Sequence, residues 1–345
     1  MFGNRNGWIL AGVVLGLMFL MLYWLAGENQ ASPPTEIGRK AATFSLDLPV
    51  NPRTLVNFMT EERDAGEQYR QALADYQGNR KLYRDFVANL RQYGKTSKNP
   101  NPQPAPEMPA VNQLLAARTA RKAIIFSTLL DKVVKYRFTD EPVDDEPFTA
   151  ILELGNTAVA LGNVHQSNGR RDQARQCFEA AFALGVHLWE ERLVWREADS
   201  GMVLFGIGAD ALAAMAKDDK QADLVEKFDK FRTEKLAFYR KNVGLREDRT
   251  PTVYKAIFKP NNIHTGDMLA LARKAGEQTW RVEALMALGR CRFNADRQPD
   301  QRAADRVVRE IRNDAGQPPA VRQAAAAAAD LTPQRMQMMV IFETK

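Results

Sequence analysis

The chain has 345 residues, of which 45% are hydrophobic and 26% charged, with a formal net charge of +6 at pH 7. That is an ordinary globular composition with room for one large or two ordinary domains. Cys177 and Cys291 lie far apart and no CxxC exists, which leaves no zinc or thioredoxin-like pair; the mild basicity suits acidic partners or anionic lipid, without the aromatic-interleaved patch of a nucleic-acid binder.

The first element is Trp8–Ala26, WILAGVVLGLMFLMLYWLA, which carries no charge. As a helix it would span roughly 28 Å, close to the hydrocarbon thickness of a bilayer. Trp8 at one end and Tyr23 with Trp24 at the other sit where an aromatic belt belongs. The competing reading is a cleaved signal peptide. Trp24-Leu25-Ala26 is a poor cleavage site and no lipobox cysteine follows, so residues 1–27 read as an uncleaved transmembrane anchor. Arg5 precedes the span, while Glu28 and Glu36 follow it ahead of Arg39 and Lys40. The expectation is a single-pass protein with a cytoplasmic N-terminus and an exported C-terminal domain, as in a bacterial inner membrane facing the periplasm. Gly12 and Gly16 form a GxxxG through which two spans could approach as a homodimer.

Residues 28–54 are polar, contain Pro33-Pro34 and read as a stalk, with a short extended piece at TFSLDLPV. Residues 55–93 are helical in pattern. Leu55, Phe58, Ala65, Tyr69, Ala72, Tyr76, Tyr83, Phe86, Leu90 and Tyr93 follow a 3-4 spacing that fits a coiled-coil seam, or a long helix or hairpin broken near Gly78 and packed on its own domain. Residues 94–109, GKTSKNPNPQPAPEMP, read as a proline-rich linker. From residue 110 to 345 nearly everything reads as helix, with an acidic turn at TDEPVDDEP and a short apolar tail, MQMMVIF. No alternation of strands with helices supports an α/β layer, so the fold class is all-α.

Leu161 to Gly185, LGNVHQSNGRRDQARQCFEAAFALG, carries the clearest motif. One helix bears Leu161-Gly162 and then His165, Gly169 makes the turn, and a second helix bears Ala174, Phe178 and Ala181. Small Gly162, Ala174 and Ala181 suit a close helix approach, Phe178 fills the gap to the next pair, and Gly169 permits a backbone turn that a Cβ would strain. The pattern resembles a tetratricopeptide repeat over about Gly155 to Leu188, with Ala158 and His165 in place of the usual aromatics and no closing proline. One repeat cannot bury its faces alone, so neighbours are expected. Arg281-Val282-Glu283-Ala284 and Val321-Arg322-Gln323-Ala324, about 40 residues apart, resemble HEAT-type pairs. The resemblance implies an α-solenoid whose concave wall binds a peptide or partner helix. Carried onto this chain, the groove residues would be Asn156, Val159, Asn163, Gln166 and Ser167, and Val159 stands where carboxylate-clamp members carry lysine.

Chemistry is sparse. His165 belongs to the repeat, while His187 and His264 read as surface or loop residues, and no HExxH or GxSxG appears. Neither a metal site nor a cofactor is expected. Asp144, Asp145 and Glu146 lack the glycine turn of an EF-hand. Gly206-x-Gly208-x-x-Ala211, with Glu226 near the expected distance, resembles a dinucleotide fingerprint, but the surrounding sequence reads as helix. Three functions follow: a non-enzymatic, membrane-anchored scaffold binding other membrane-associated proteins and no nucleic acid; a dinucleotide-binding enzyme; or a structural spacer subunit.

Overall fold

The computed structural model describes residues 30–126, 147–242 and 263–332. Within them the chain forms twelve α-helices and two short strands, which makes it an all-α fold. In chain order these are α1 (Glu36–Ala42), β1 (Glu61–Asp64), α2 (Gly66–Gly78), α3 (Arg80–Ala88), α4 (Pro109–Ala117), β2 (Ala120–Lys122), α5 (Pro147–Ser167), α6 (Arg171–Glu191), α7 (Trp195–Asp218), α8 (Ala222–Asn242), α9 (Thr265–Lys274), α10 (Gln278–Asn294), α11 (Gln298–Asn313) and α12 (Pro319–Ala329). The expected transmembrane span with Gly12 and Gly16, the acidic run at Asp144–Glu146 and the apolar tail lie outside the described residues.

The centre of the molecule is the antiparallel pair α6 and α7. Gly185 on α6 meets Gly201 and the Phe205 backbone on α7, and Gly208 lies on the Phe182 backbone. A Cβ at Gly201 would stand 2.6 Å from the Trp189 amide nitrogen, so these glycines let two helix backbones touch. Around them Phe182, Leu184, Leu188, Leu204 and Phe205 are fully buried. Trp195–Asp218 is the one described helix long and apolar enough to cross a membrane, and 67% of its apolar window is buried inside the protein, as suits a core helix.

α5 packs on α6 through the turn at Asn168–Arg170, where Gly169 adopts φ +77°. The Gly162 position faces the Phe178 ring and the Cys177 side chain, with no room for a Cβ. Phe178 forms a small apolar cluster with Ala174 and Met215, joining α6 to α7, and Ala181 is fully buried in the same helix.

Residues 61–122 form a cap on this pair. The helix expected from Leu55 starts only at Gly66, because Glu61–Asp64 pairs in parallel with Ala120–Lys122 instead. α2 and α3 are nearly continuous, with a break at Asn79, and the Tyr76 and Tyr83 rings sit 5.1 Å apart across it. Tyr69, Tyr76, Tyr83 and Phe86 are buried in the main core of their own chain. Of the two readings of this segment, the one broken near Gly78 and packed on its own domain describes it, with the aromatic seam spent within the chain on α4 and α5. The proline-rich stretch also packs rather than spans. Gln103 N donates to the Gln92 carbonyl at 2.8 Å, and Ala110 N donates to Asp75 Oδ2 at 3.0 Å.

The largest departure concerns the expected stalk, whose described residues 30–54 lie along the helices as a strap. Ser32 donates from its N and Oγ to the two oxygens of Asp300, at 2.6 and 2.8 Å. Thr35 does the same to Asp267, at 2.6 and 2.9 Å. Leu46 N donates to Glu277 Oε1 at 2.9 Å. The three acids share one property: each stands at the N-terminal end of a helix, α11, α9 and α10 respectively, where the helix dipole favours negative charge. Polar residues that look solvated in sequence are thus the strap's partners for helices more than 230 positions away. No strand forms at TFSLDLPV; Leu46 is buried there and Phe44 packs on Trp280 at 5.9 Å.

The strap and the α6–α7 corner together hold the C-terminal helices. Arg192, at φ 24°, pairs with Asp47 at 2.8 Å and Glu277 at 3.3 Å, and its carbonyl accepts from the Thr279 hydroxyl. Trp195 stacks on Trp280 at 6.4 Å, and its N–H donates to buried Glu283 at 3.0 Å. Within the C-terminal helices, Ala324, Ala325 and Ala328 are fully buried, and Gly289 of α10 lies against Ala328.

Candidate functional site

Asn156, Asn163 and Ser167 recur at intervals of seven and four along α5, which places them on one face of the helix. All three are exposed. One border of this face is α3, whose Arg80 and Arg84 pair with Glu153 at 3.0 and 2.7 Å. Those pairs and the Tyr76 hydroxyl hold the Glu153 carboxyl below its ordinary range against the opposing pull of burial. The other border is α7. Val159 is half-buried against the cluster of Ala174, Phe178 and Met215, and Gln166 Nε2 reaches Asp218 Oδ2 at 3.4 Å. Ser167 donates to the Val164 carbonyl at 3.0 Å, and Gly94 lies beside it.

The five expected groove residues therefore divide. Asn156, Asn163 and Ser167 are an exposed strip on α5, while Val159 and Gln166 are committed to contacts with α7. The two asparagine amides each offer a donor pair and an acceptor, which matches the alternating demand of a polypeptide backbone. The remaining repeat residue, His165, is half-buried near the turn, and burial followed by the Arg170 charge lowers its pKa.

Several other titratable groups are buried. His187, expected at the surface, is 1% exposed. Its Nε2 donates to the Ala120 carbonyl at 3.1 Å, which leaves Nδ1 to accept the Tyr69 hydroxyl at 2.9 Å. Burial, reinforced by the Arg53 charge, pushes its pKa down to about 3, so the ring is neutral. It is misread from sequence because its partners come from α2 and β2. His264 precedes α9, with Nδ1 3.5 Å from Asp267 Oδ1. Burial pushes the Cys177 thiol up to about 12 and also raises that of Cys291. Glu197 is fully buried; that burial, together with neighbouring Glu191, raises its pKa well above the carboxylate range. Its Oε2 accepts from Leu193 N at 2.7 Å, while Glu191 accepts from Ile125 and Phe126. This acid pair secures a corner of the fold. Among the described residues no group of three or more His, Cys, Asp or Glu side chains could hold a metal.

The dinucleotide fingerprint requires a strand, a tight glycine turn and a helix start. Gly206, Gly208 and Ala211 instead lie inside α7, and Glu226 lies on α8. Gly208 packs on Phe182, and the Gly206 position is filled by the Lys235 ammonium, which donates to the Met202 carbonyl at 3.0 Å. This stretch therefore does not have the strand-turn-helix start on which the fingerprint depends.

A hollow of about 280 Å³ lies where residues 54–58, just after the strap, cross α6, α7 and α8, lined by Phe58, Arg175, Leu212, Met215, Asp219 and Phe228 among others. Sequence gave no sign of it, because the strap's course depends on contacts made at both of its ends. No family model, no curated protein and no solved structure matches this chain.

Proposed function

We propose that this chain is a membrane-anchored helical-repeat protein, tetratricopeptide-like at α5–α6 and HEAT-like at α9–α12. In this reading it serves as a scaffold or assembly subunit of a membrane or envelope complex. Trp8–Ala26 is the anchor, the remainder faces the exported side, and a partner peptide or helix lies along this face of α5. The observation that carries the reading is the exposed polar strip of Asn156, Asn163 and Ser167 on α5, flanked by contacts to α3 on one side and α7 on the other. A further support is that the same helical body already holds a separate stretch of polypeptide, its own strap, by accepting backbone N–H groups on acids at helix N-termini.

Crosslinking followed by affinity capture from native membranes tests the proposal. The expected result is one stoichiometric membrane complex, lost in the double variant Asn156→Arg, Asn163→Arg and retained when exposed Ser97 is changed to Arg. Recovery of the chain alone, with or without the substitutions, would favour a spacer subunit and end the scaffold reading.

A further inference from the structure

Resting on the anchored reading above, we infer that the end of the C-terminal helices where residues 30–35 are docked is a lipid-facing surface. It sets Arg297 and Arg302 against anionic headgroups, with α11 running away from the bilayer.

The described chain begins at Gln30, and it is fixed there. Arg297 donates from Nη2 to the Gln30 carbonyl and from Nη1 to Ser32 Oγ, both at 3.2 Å. Asp300 holds Ser32 by two bonds, and the Ser32–Pro33 backbone lies so close to Gly266 that a Cβ would have no space. The uncharged segment ends at Ala26, four residue steps earlier. Four steps of extended chain reach at most ~14 Å. A body held at Gln30 thus has no long tether, and the helix ends around that point meet the surface first.

Those ends belong to three helices. The first turns of α9 and α11 hold Asp267 and Asp300, and the last turn of α10 is tied in where Gln301 donates to the Ala295 carbonyl at 2.8 Å. The exposed residues here are polar: Asn294, Asp296, Arg297, Gln298 and Arg302. Arg302 donates to Gln298 Oε1 at 3.3 Å, which leaves most of its guanidinium donors for phosphate. One turn along the strap, Ile37 is 49% exposed, the most open large apolar side chain among the described residues, with exposed Arg39 close by in sequence. An exposed aliphatic side chain with Arg39 and Lys40 close by suits the boundary between headgroups and acyl chains.

The test uses the full chain reconstituted in vesicles of phosphatidylcholine with phosphatidylglycerol. Cys177 and Cys291 are buried, so an added surface cysteine takes the label. A fluorophore at Gln298→Cys is compared with one at Asn313→Cys, at the other end of α11, about 22 Å away along the helix. The expected result is that a headgroup-attached quencher dims the first at least threefold more than the second. Adding Arg297→Gln and Arg302→Gln is expected to reduce that contrast. Equal quenching of both labels, with the chain retained after an alkaline wash, overturns the inference and leaves the anchor standing. Release of the chain by the wash overturns the anchor and this inference with it.

Discussion

The α6–α7 seam and the strap on α9–α11 are both tight interfaces, reached by opposite means. At the seam, Gly185, Gly201 and Gly208 remove side chains so that backbones meet, and aromatic and leucine side chains close around them. Along the strap, Asp267, Asp300 and Glu277 reach out and accept the N–H groups of a chain with little regular structure of its own. Shape joins neighbours in sequence, whereas charge-assisted hydrogen bonds join segments that are hundreds of residues apart. The first interface tolerates no added atom; the second tolerates none removed.

Removing bulk where the two interfaces meet should cost most. Trp280 is 1% exposed and touches both Trp195 and Phe44. Trp280→Ala is expected to lower stability by about 3–5 kcal/mol, read from urea unfolding of residues 30–345. A seam that yields to added volume would break the contrast. Gly185→Val is expected to cost about 3 kcal/mol, because the obstructing atoms are α7 backbone; a loss under about 1 kcal/mol would mean that the seam is softer than described. The strap is weaker. Asp267→Ala should cost about 1–3 kcal/mol and abolish hydrogen-exchange protection at Thr35, with protection across α6 unchanged.

Acid should act on the α2–α6 contact. The folded pKa of His187, about 3, lies below its ordinary value of 6.5. Between those limits the unfolded chain binds the extra proton, so stability falls as pH drops, by up to about 1.4 kcal/mol per pH unit. His187→Gln should flatten that limb in unfolding curves taken from pH 7 to 4. Glu197 has the opposite sign: its raised pKa favours the folded state at low pH, and that advantage is lost as pH rises above the ordinary carboxylate range. Glu197→Gln should therefore reduce the alkaline decline. Smallest of all, Asn163→Ala is expected to change stability by less than about 0.5 kcal/mol, which separates the exposed α5 strip from both packing interfaces.

The division between these interfaces is also the division in what sequence makes legible. The α5–α6 turn is readable because Gly169, Gly162 and Phe178 lie within one local pattern of helical spacing, and helix identity follows from that spacing throughout α5–α12. Gly206 and Gly208 are legible as a close pair, and the helical charges of α8 correctly favour packing over a phosphate loop. The strap is not legible: Ser32 and Thr35 look like solvated stalk residues until Asp300 and Asp267 are brought beside them. His187 is misread for the same reason, since Tyr69 and Ala120 arrive from other elements. β1 escapes notice because EERD has no alternation and draws its order from pairing with β2. Of the expected groove, the α5 face is visible from periodicity, but the loss of Val159 and Gln166 to α7 follows only from how the helices stack.

The bond from Ser32 to Asp300 also sets a timetable. A ribosome adding roughly 5–20 residues per second needs on the order of 15–50 s to travel between the two. During that interval the emerging N-terminal segment has no docking acid to receive it, and its Ser and Thr hydroxyls face water. Closure of this longest loop must come among the last events of maturation, after the inner helices have consolidated around their glycines.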